Sequence, residues 1–100
     1  MESVVVVFSS PEMTAEKFDK VWDELRTAGQ ANPKGLISHV GFAKPDGTWN
    51  VMDIWESAAA FAEFGKVLVP IMQSNMDNIP EPAIFPAHYV YVGHQENVHA

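Results

Sequence analysis

The sequence contains no cysteine, and basic residues are few: six Lys and Arg stand against 13 Asp and Glu. The missing cysteines exclude disulfide bonds, thiolate nucleophiles and zinc sites built on thiolates. The formal net charge of −7 at pH 7 repels phosphate backbones and anionic lipid headgroups. We therefore expect neither nucleic acid nor a membrane surface as a partner.

Long apolar runs are also missing. No stretch approaches the roughly 20 apolar residues that a membrane-spanning helix needs. The first ten residues, MESVVVVFSS, carry an acidic residue where a signal peptide has a basic one, and their apolar run is short. We therefore expect a cytoplasmic protein.

Hydrophobic residues are abundant, at 47% of the 100 residues. That is enough for a core and for an apolar face that a partner subunit would cover. A chain of this length fits one domain. We place the domain at residues 1–92 and a polar C-terminal tail at residues 93–100, and we assign no role to His94 and His99 in that tail.

Six secondary-structure elements alternate along the sequence. Short apolar runs predict four strands, at residues 4–8, 36–44, 48–56 and 83–92. Apolar residues at helical spacing predict two helices, one between Thr14 and Gly29 and one after Ser57. Because Pro70 lies inside the second helical pattern, we expect a kink or a break near Val69.

The order strand, helix, strand, strand, helix, strand is that of the ferredoxin-like split unit. It predicts an α+β fold, βαββαβ, in which two helices cover one face of a four-stranded antiparallel sheet. The strands are apolar on both faces, as VVVVF and LISHVGFA illustrate. The second face therefore needs a cover, and the simplest cover is the sheet of a second copy related by two-fold symmetry.

The chain resembles the dimeric α/β-barrel superfamily and, within it, the antibiotic-biosynthesis-monooxygenase-like proteins. The resemblance covers residues 4–92. It rests on the element order and on one junction, where the strand ending in DIWES runs into the helix AAAFAEF. It implies a homodimer that closes into an α/β barrel, with a pocket in each monomer between sheet and helices.

Two departures from this family bear on activity. The resemblance implies, for the haem-degrading members, an asparagine on the first strand and a histidine on the second helix. In this sequence VVVVFSS has no asparagine and residues 58–76 have no histidine. Its quinone-forming members use neither metal nor flavin and rely on Asn, Trp and Tyr side chains near the substrate. Trp55 matches that tryptophan, while Tyr89 and Tyr91 lie on another strand. We expect no cofactor.

The hairpin at residues 38–57 carries the candidate chemistry. Its Pro-Asp-Gly turn suits a type I turn with a bulge, which places His39 opposite Asp53 on one face. A two-residue turn would shift the pairing by one residue and separate them. A carboxylate fixes the tautomer of a neighbouring imidazole, so the pair is a candidate catalytic base. The alternative is that it only satisfies two polar groups in a packed region.

Aromatic and apolar side chains of the hairpin and the second helix are candidates for a ligand-binding wall. Flat rings recognise flat substrates and methionine adapts to varied ligands, although both residue types also simply fill cores. The candidate substrate-binding residues are Trp49, Trp55, Phe61, Phe64, Leu68, Met72 and His88. A metal triad of His39, Asp53 and His88 would need three strands to converge, and we assign no metal.

Two functions from different classes fit these residues. The first is a cofactor-independent oxygenase or isomerase that acts on a small aromatic or quinone-like molecule between the sheet and the second helix. The His39–Asp53 pair would remove a proton from that molecule. The second is a non-catalytic dimeric module that binds a small molecule or serves a stress response. In that case the polar pair is structural.

Overall fold

The computed structural model describes residues 2–93 of the chain. Six elements follow one another in this range: β1 (Val4–Ser10), α1 (Ala15–Thr27), β2 (Leu36–Ala43), β3 (Trp49–Trp55), α2 (Ala58–Asn75) and β4 (Ala83–Pro86). His94 and His99 lie outside the described residues, and the division of the chain into a domain and a tail stays a prediction.

The four strands form one antiparallel sheet in the order β2-β3-β1-β4. β1 is therefore an interior strand, which is the position that its β-branched run favours. The two helices follow β1 and β3, as in the split unit. The α+β, ferredoxin-like βαββαβ fold predicted from the element order is confirmed.

Capping residues begin both helices where the sequence indicates. The Thr14 hydroxyl accepts a hydrogen bond from the Lys17 N–H at 3.2 Å, and the Ser57 hydroxyl accepts one from the Ala60 N–H at 3.1 Å. These bonds pair first-turn amides that have no partner inside the helix. Gly29 follows α1 with a φ of +72°, a left-handed conformation that ends a helix readily.

α2 runs through Pro70 without interruption, so of the predicted kink or break near Val69 the break is wrong, and the kink stays a prediction. A proline inside a helix costs about 3 kcal/mol because one hydrogen bond is lost. Buried side chains on both sides of it, among them Phe64 and Met72, offset that cost by removing apolar surface from water. Within residues 2–93, neither helix has both the length and the apolarity to cross a membrane.

β4 ends at Pro86 and does not continue to residue 92 as predicted. Pro86 lies opposite Val4, the first residue of β1, so a longer β4 would have no strand to pair with. One further backbone bond, from the Ala87 N–H to the Ser3 carbonyl at 2.9 Å, closes this edge.

The hydrophobic core lies between the sheet and the two helices. Val6, Leu25 and Trp55 are its largest fully buried side chains. The other face of the sheet is different, because no element within residues 2–93 covers it. Large apolar side chains are 40–54% exposed there: Val40, Phe42, Met52 and Phe85.

Candidate active site between sheet and helices

The β2–β3 turn sets the register of the hairpin. The Lys44 N–H donates to the Thr48 carbonyl at 2.9 Å, and the Gly47 N–H donates to the Lys44 carbonyl at 3.0 Å. Gly47 has a φ of +89°, which glycine adopts without strain. The Asp46 carboxylate accepts hydrogen bonds from the Thr48 hydroxyl and N–H, and these bonds stabilise the turn. The same bonds lower the pKa of Asp46. This is the bulged turn that the Pro-Asp-Gly sequence predicts.

This register places His39 directly opposite Asp53, as predicted. His39 Nδ1 and Asp53 Oδ1 are 2.5 Å apart. Because an ionised carboxylate only accepts, Nδ1 is the donor of this bond. The other carboxylate oxygen, Oδ2, accepts from Trp55 Nε1–H at 3.1 Å. Both oxygens of Asp53, whose side chain is 7% exposed, therefore have a donor.

The second imidazole nitrogen, His39 Nε2, is buried and has no hydrogen-bond partner within residues 2–93. Two rings from α1 hold the imidazole. The Phe18 ring stacks on it with a centroid distance of 5.5 Å and an interplanar angle of 11°. The Trp22 ring lies 4.7 Å away, tilted by 54°. These contacts, together with the bond to Asp53, fix the direction in which Nε2 points.

His39 and Asp53 line a cavity of about 50 Å³, given as the volume open to the centres of water molecules. Its walls come from β1, α1, β2, β3 and α2, and Pro80 contributes from the loop after α2. The walls are mainly apolar rings and aliphatic side chains. The polar side chains are confined to His39, Asp53, Ser10 and the indoles of Trp22 and Trp49.

Four of the predicted substrate-binding residues line this cavity: Trp49, Phe64, Leu68 and Met72. Trp55 and Phe61 do not. They pack against each other in the core, with ring centroids 5.6 Å apart. Trp55 also donates its indole N–H to the Asp53 carboxylate. The binding roles of all these residues stay predictions.

His88 is exposed and follows the end of β4. It does not line the cavity. Within residues 2–93, no group of three or more His, Asp or Glu side chains is placed to hold a metal ion. The triad of His39, Asp53 and His88 does not form.

The cavity also reaches α1, from which no candidate binding residue was predicted. Phe18, Val21 and Trp22 form this wall, so the cavity lies between the sheet and both helices. Their helical spacing shows that they share one face, but not that this face meets the hairpin. Gly41 lets them approach, because a Cβ there would lie 3.0 Å from Phe18 Cζ and 3.1 Å from Trp49 Cζ2.

Ser10 is a site residue that the sequence did not reveal. It ends β1 opposite Trp49, and it lines the cavity at 5% exposure. Its hydroxyl accepts from the N–H groups of Glu12 and Met13 at 3.2 and 3.1 Å. Ser-Pro in a strand-to-helix loop signals a turn but gives no indication of a cavity.

No family model matches the sequence, and no curated protein is similar to it in sequence. Solved structures are similar in fold. A variant of SnoaB, a cofactor-independent oxygenase from Streptomyces nogalater, has a TM-score of 0.67 and 18% identity, over 90% of this chain and 97% of that one.

Two further structures agree. A Caulobacter crescentus CB15 protein named as an antibiotic biosynthesis monooxygenase has a TM-score of 0.64 and 21% identity, over 88% of this chain and 92% of that one. A conserved protein from Methanosarcina mazei Go1 has a TM-score of 0.58 and 14% identity, over 85% and 92%. At these identities the likeness establishes the fold: the chain has the ferredoxin-like fold of the antibiotic biosynthesis monooxygenase-like proteins, as the resemblance predicted.

Proposed function

We propose that the protein is a cofactor-independent, monooxygenase-like enzyme that binds a small aromatic or quinone-like molecule in the cavity, with the His39–Asp53 pair as base. One observation carries the proposal. His39 Nε2 is buried without a partner in the described part of the chain, while Nδ1 is held by a carboxylate. A neutral imidazole with its hydrogen on Nδ1 presents a lone pair at Nε2. The name of SnoaB as a cofactor-independent oxygenase supports the reaction class.

In the proposed reaction, His39 Nε2 removes the proton of a ring hydroxyl, and Asp53 stabilises the imidazolium that forms. The negative charge spreads to a ring carbon, which gives its electron pair to dioxygen and forms a C–O bond. The peroxide then takes the proton back from His39. The O–O bond of this hydroperoxide then breaks together with the C–H bond at the same carbon, and the carbon's hydrogen leaves with the hydroxide as water. A quinone carbonyl remains, so that one atom of dioxygen ends in the product and the other in water. Without oxygen, reprotonation at another position would give an isomer.

The size of the cavity adds a requirement. An engineered cavity of about 150 Å³ holds a benzene ring, and the cavity here has about 50 Å³. An aromatic ligand therefore has to displace part of the wall. Met13 and Met72 are the wall side chains best suited to move, because each is unbranched and has three rotatable bonds.

We also propose that the protein forms a homodimer through the open face of the sheet. Val40, Phe42, Met52 and Phe85 leave an apolar patch there, and such patches mark interfaces. A second copy would cover it by two-fold symmetry and close the α/β barrel. Met52→Asp should convert the dimer to a monomer in sedimentation velocity, whereas Asp23→Ala, on the exposed side of α1, should not. A cytoplasmic location stays a prediction.

The enzymatic proposal is tested by oxygen uptake with 1-naphthol, with formation of 1,4-naphthoquinone followed by absorbance. We expect one dioxygen per quinone, and a loss of about 10²–10⁴-fold in kcat/KM for both His39→Ala and Asp53→Asn. His88→Ala is the matched control, because His88 is exposed and outside the cavity. Wild-type turnover of a competent substrate by His39→Ala would exclude this residue as the base.

A non-catalytic dimeric binding module is the second candidate. The observation that favours it is the complete pairing of both Asp53 oxygens in a packed environment. On this alternative His39→Ala lowers the free energy of unfolding by about 1–3 kcal/mol, because Asp53 loses a donor while buried. Binding of 1-naphthol, measured by calorimetry, would survive the substitution, and no oxygen would be consumed by the wild-type protein.

A further inference from the structure

Among the described residues, strands and helices build the whole cavity wall except at two places. Met13 lies in the loop between β1 and α1, and Pro80 lies in the loop between α2 and β4. Strands and helices are tied along their length by backbone hydrogen bonds, so opening the wall there would break several bonds at once. Loops with few such bonds open locally at a lower cost in free energy. A small molecule should therefore enter the cavity where these two loops meet.

The two loops meet at the carboxylate of Glu12. Its Oε2 accepts the Asp77 N–H at 2.7 Å, and its Oε1 accepts the Asn78 N–H at 2.9 Å. Residues 77–82 make no other hydrogen bond in the described part of the chain. One side chain of the first loop thus accepts both hydrogen bonds that are found to hold the second.

The first loop has a fixed backbone from which Glu12 is presented. Ser10 Oγ accepts the N–H groups of Glu12 and Met13 at 3.2 and 3.1 Å. The Met13 side chain is buried, and Thr14 caps α1 directly after it. Lys17 Nζ on α1 lies 3.8 Å from Glu12 Oε2 and adds an ion pair from the same side. Because these contacts anchor the first loop, the second loop is the part that can move.

The second loop is stiff between two anchored ends. Residues 79–82 read Ile-Pro-Glu-Pro, and each proline fixes its own φ and restricts the residue before it. The buried side chain of Met76 holds the end next to α2, and the pairing of Ala83 with β1 holds the end next to β4. Ile79 packs against the core and Pro80 lines the cavity between these ends. A segment of this kind moves as one piece rather than residue by residue.

We propose that residues 77–82 are a lid over the cavity and that the Glu12 carboxylate holds this lid closed. The lid opens when the N–H groups of Asp77 and Asn78 leave the carboxylate, and Pro80 then leaves the cavity wall. The inference goes beyond the proposed reaction, because it concerns the entry of any small molecule and holds whether or not His39 acts as a base.

Closure of the lid requires two acceptor oxygens at one side chain. Glu12→Gln keeps one oxygen and replaces the other with an NH₂ group, which cannot accept an N–H. Glu12→Asp keeps the charge, but its side chain is one methylene shorter and does not reach both amides. Both variants should therefore release the lid. Glu81→Gln is the matched control, because it removes the same charge from an exposed position of the lid itself.

The test measures the entry of hydrogen peroxide, which oxidises methionine to the sulfoxide. Met72 is the reporter, because it lines the cavity from α2 and is 7% exposed. Met52 is the internal reference, because it lies on the other face of the sheet. Peptide mass spectrometry gives the oxidation rate at each position. We expect Glu12→Gln and Glu12→Asp to speed oxidation of Met72 about three- to tenfold and to leave the rate at Met52 unchanged.

Hydrogen exchange of the Asp77 and Asn78 amides, followed by NMR, measures the same opening independently. A single opening event frees these amides and exposes Met72. The amide exchange rates and the oxidation rate of Met72 should therefore rise by the same factor in each Glu12 variant. Neither readout uses 1-naphthol or oxygen uptake, so a failure of the proposed reaction leaves this test intact.

Three results would overturn the lid. If the amides exchange faster in Glu12→Gln while Met72 is oxidised at the wild-type rate, the carboxylate holds the loop but the loop does not close the cavity. If oxidation rises equally at Met72 and Met52, the protein has loosened as a whole. If Glu81→Gln speeds oxidation of Met72 as much as Glu12→Gln does, the loss of charge is the cause and the two hydrogen bonds are not.

Discussion

Trp49 and Trp55 lie at opposite ends of β3 and on the same face of the sheet, yet their indole N–H groups differ in hydrogen bonding. Trp55 is fully buried and donates to Asp53. Trp49 lines the cavity, and its N–H has no partner within residues 2–93. The indole N–H outside the cavity wall is paired within the chain, whereas the indole N–H in the wall is not. On the proposed function, that difference separates a tryptophan that holds the fold from one that is available to a ligand.

Removing the Asp53 carboxylate should have the largest effect on stability, because it accepts hydrogen bonds from both His39 and Trp55. Asp53→Ala leaves the N–H groups of His39 and Trp55 without an acceptor. We expect it to lower the free energy of unfolding by about 3–5 kcal/mol, measured by urea denaturation. Asp23→Ala, an exposed aspartate on α1, is the control and should change little. A loss below about 1 kcal/mol for Asp53→Ala would mean that the hydrogen bonds of this carboxylate to His39 and Trp55 contribute little to stability.

The two tryptophans can be compared directly by replacing each with phenylalanine. Trp55→Phe leaves Asp53 Oδ2 unpaired and opens a gap in a fully buried site, so we expect a loss of about 2–4 kcal/mol. Trp49→Phe removes a donor that has no partner in the described part of the chain, so we expect a loss of about 1 kcal/mol or less. Equal losses in urea denaturation would show that the two ends of β3 do not differ in energy as they do in hydrogen bonding.

Gly41 tests the cavity end by crowding. A Cβ at this position would lie within 3.1 Å of both Phe18 and Trp49, so Gly41→Ala has to push the two rings apart. We expect a loss of about 1–2 kcal/mol and a shift of the Trp49 indole NMR signal, with the Trp55 signal unchanged. Gly65→Ala is the control, because nothing lies within 4 Å of a Cβ there. A shift at Trp55 instead would contradict the placement of Gly41 beside the cavity.

Local sequence patterns predicted much of this structure, and the reasons are local. Thr14, Ser57 and Gly29 begin or end helices through bonds within a few residues, and the turn at Gly47 sets the register that joins His39 to Asp53. Each of these features depends on chemistry that is written in a short segment.

Features that depend on distant segments were not predictable in this way. The length of β4 is set by where β1 begins, and the continuity of α2 through Pro70 is set by burial against other elements. The side of the sheet that holds the cavity depends on Phe18 and Trp22 reaching β2 across Gly41. Ser10 joins the site only because β1 lies beside β3.

The smallest effect concerns the loop after α2, which contributes Pro80 to the cavity wall. The Glu12 carboxylate accepts the N–H groups of Asp77 and Asn78 at 2.7 and 2.9 Å, shortly before Pro80 in the cavity wall. These two bonds, Asp77 first, and the nearby Lys17 ammonium lower the pKa of Glu12 below its usual 4.5. The stabilisation is therefore present above the pKa of the unfolded chain and is lost as pH falls through the lower folded pKa.

Glu12→Gln should reduce the melting temperature at pH 7 by a small amount, and the difference from wild type should vanish in acid. The reason is that a protonated Glu12 and the uncharged amide of the variant both accept these bonds only weakly, whereas the carboxylate accepts them strongly. Glu81→Gln, an exposed acid of the same charge in the segment before β4, is the control. If the difference between Glu12→Gln and wild type were the same at pH 3 and pH 7, the carboxylate would not be what holds this loop.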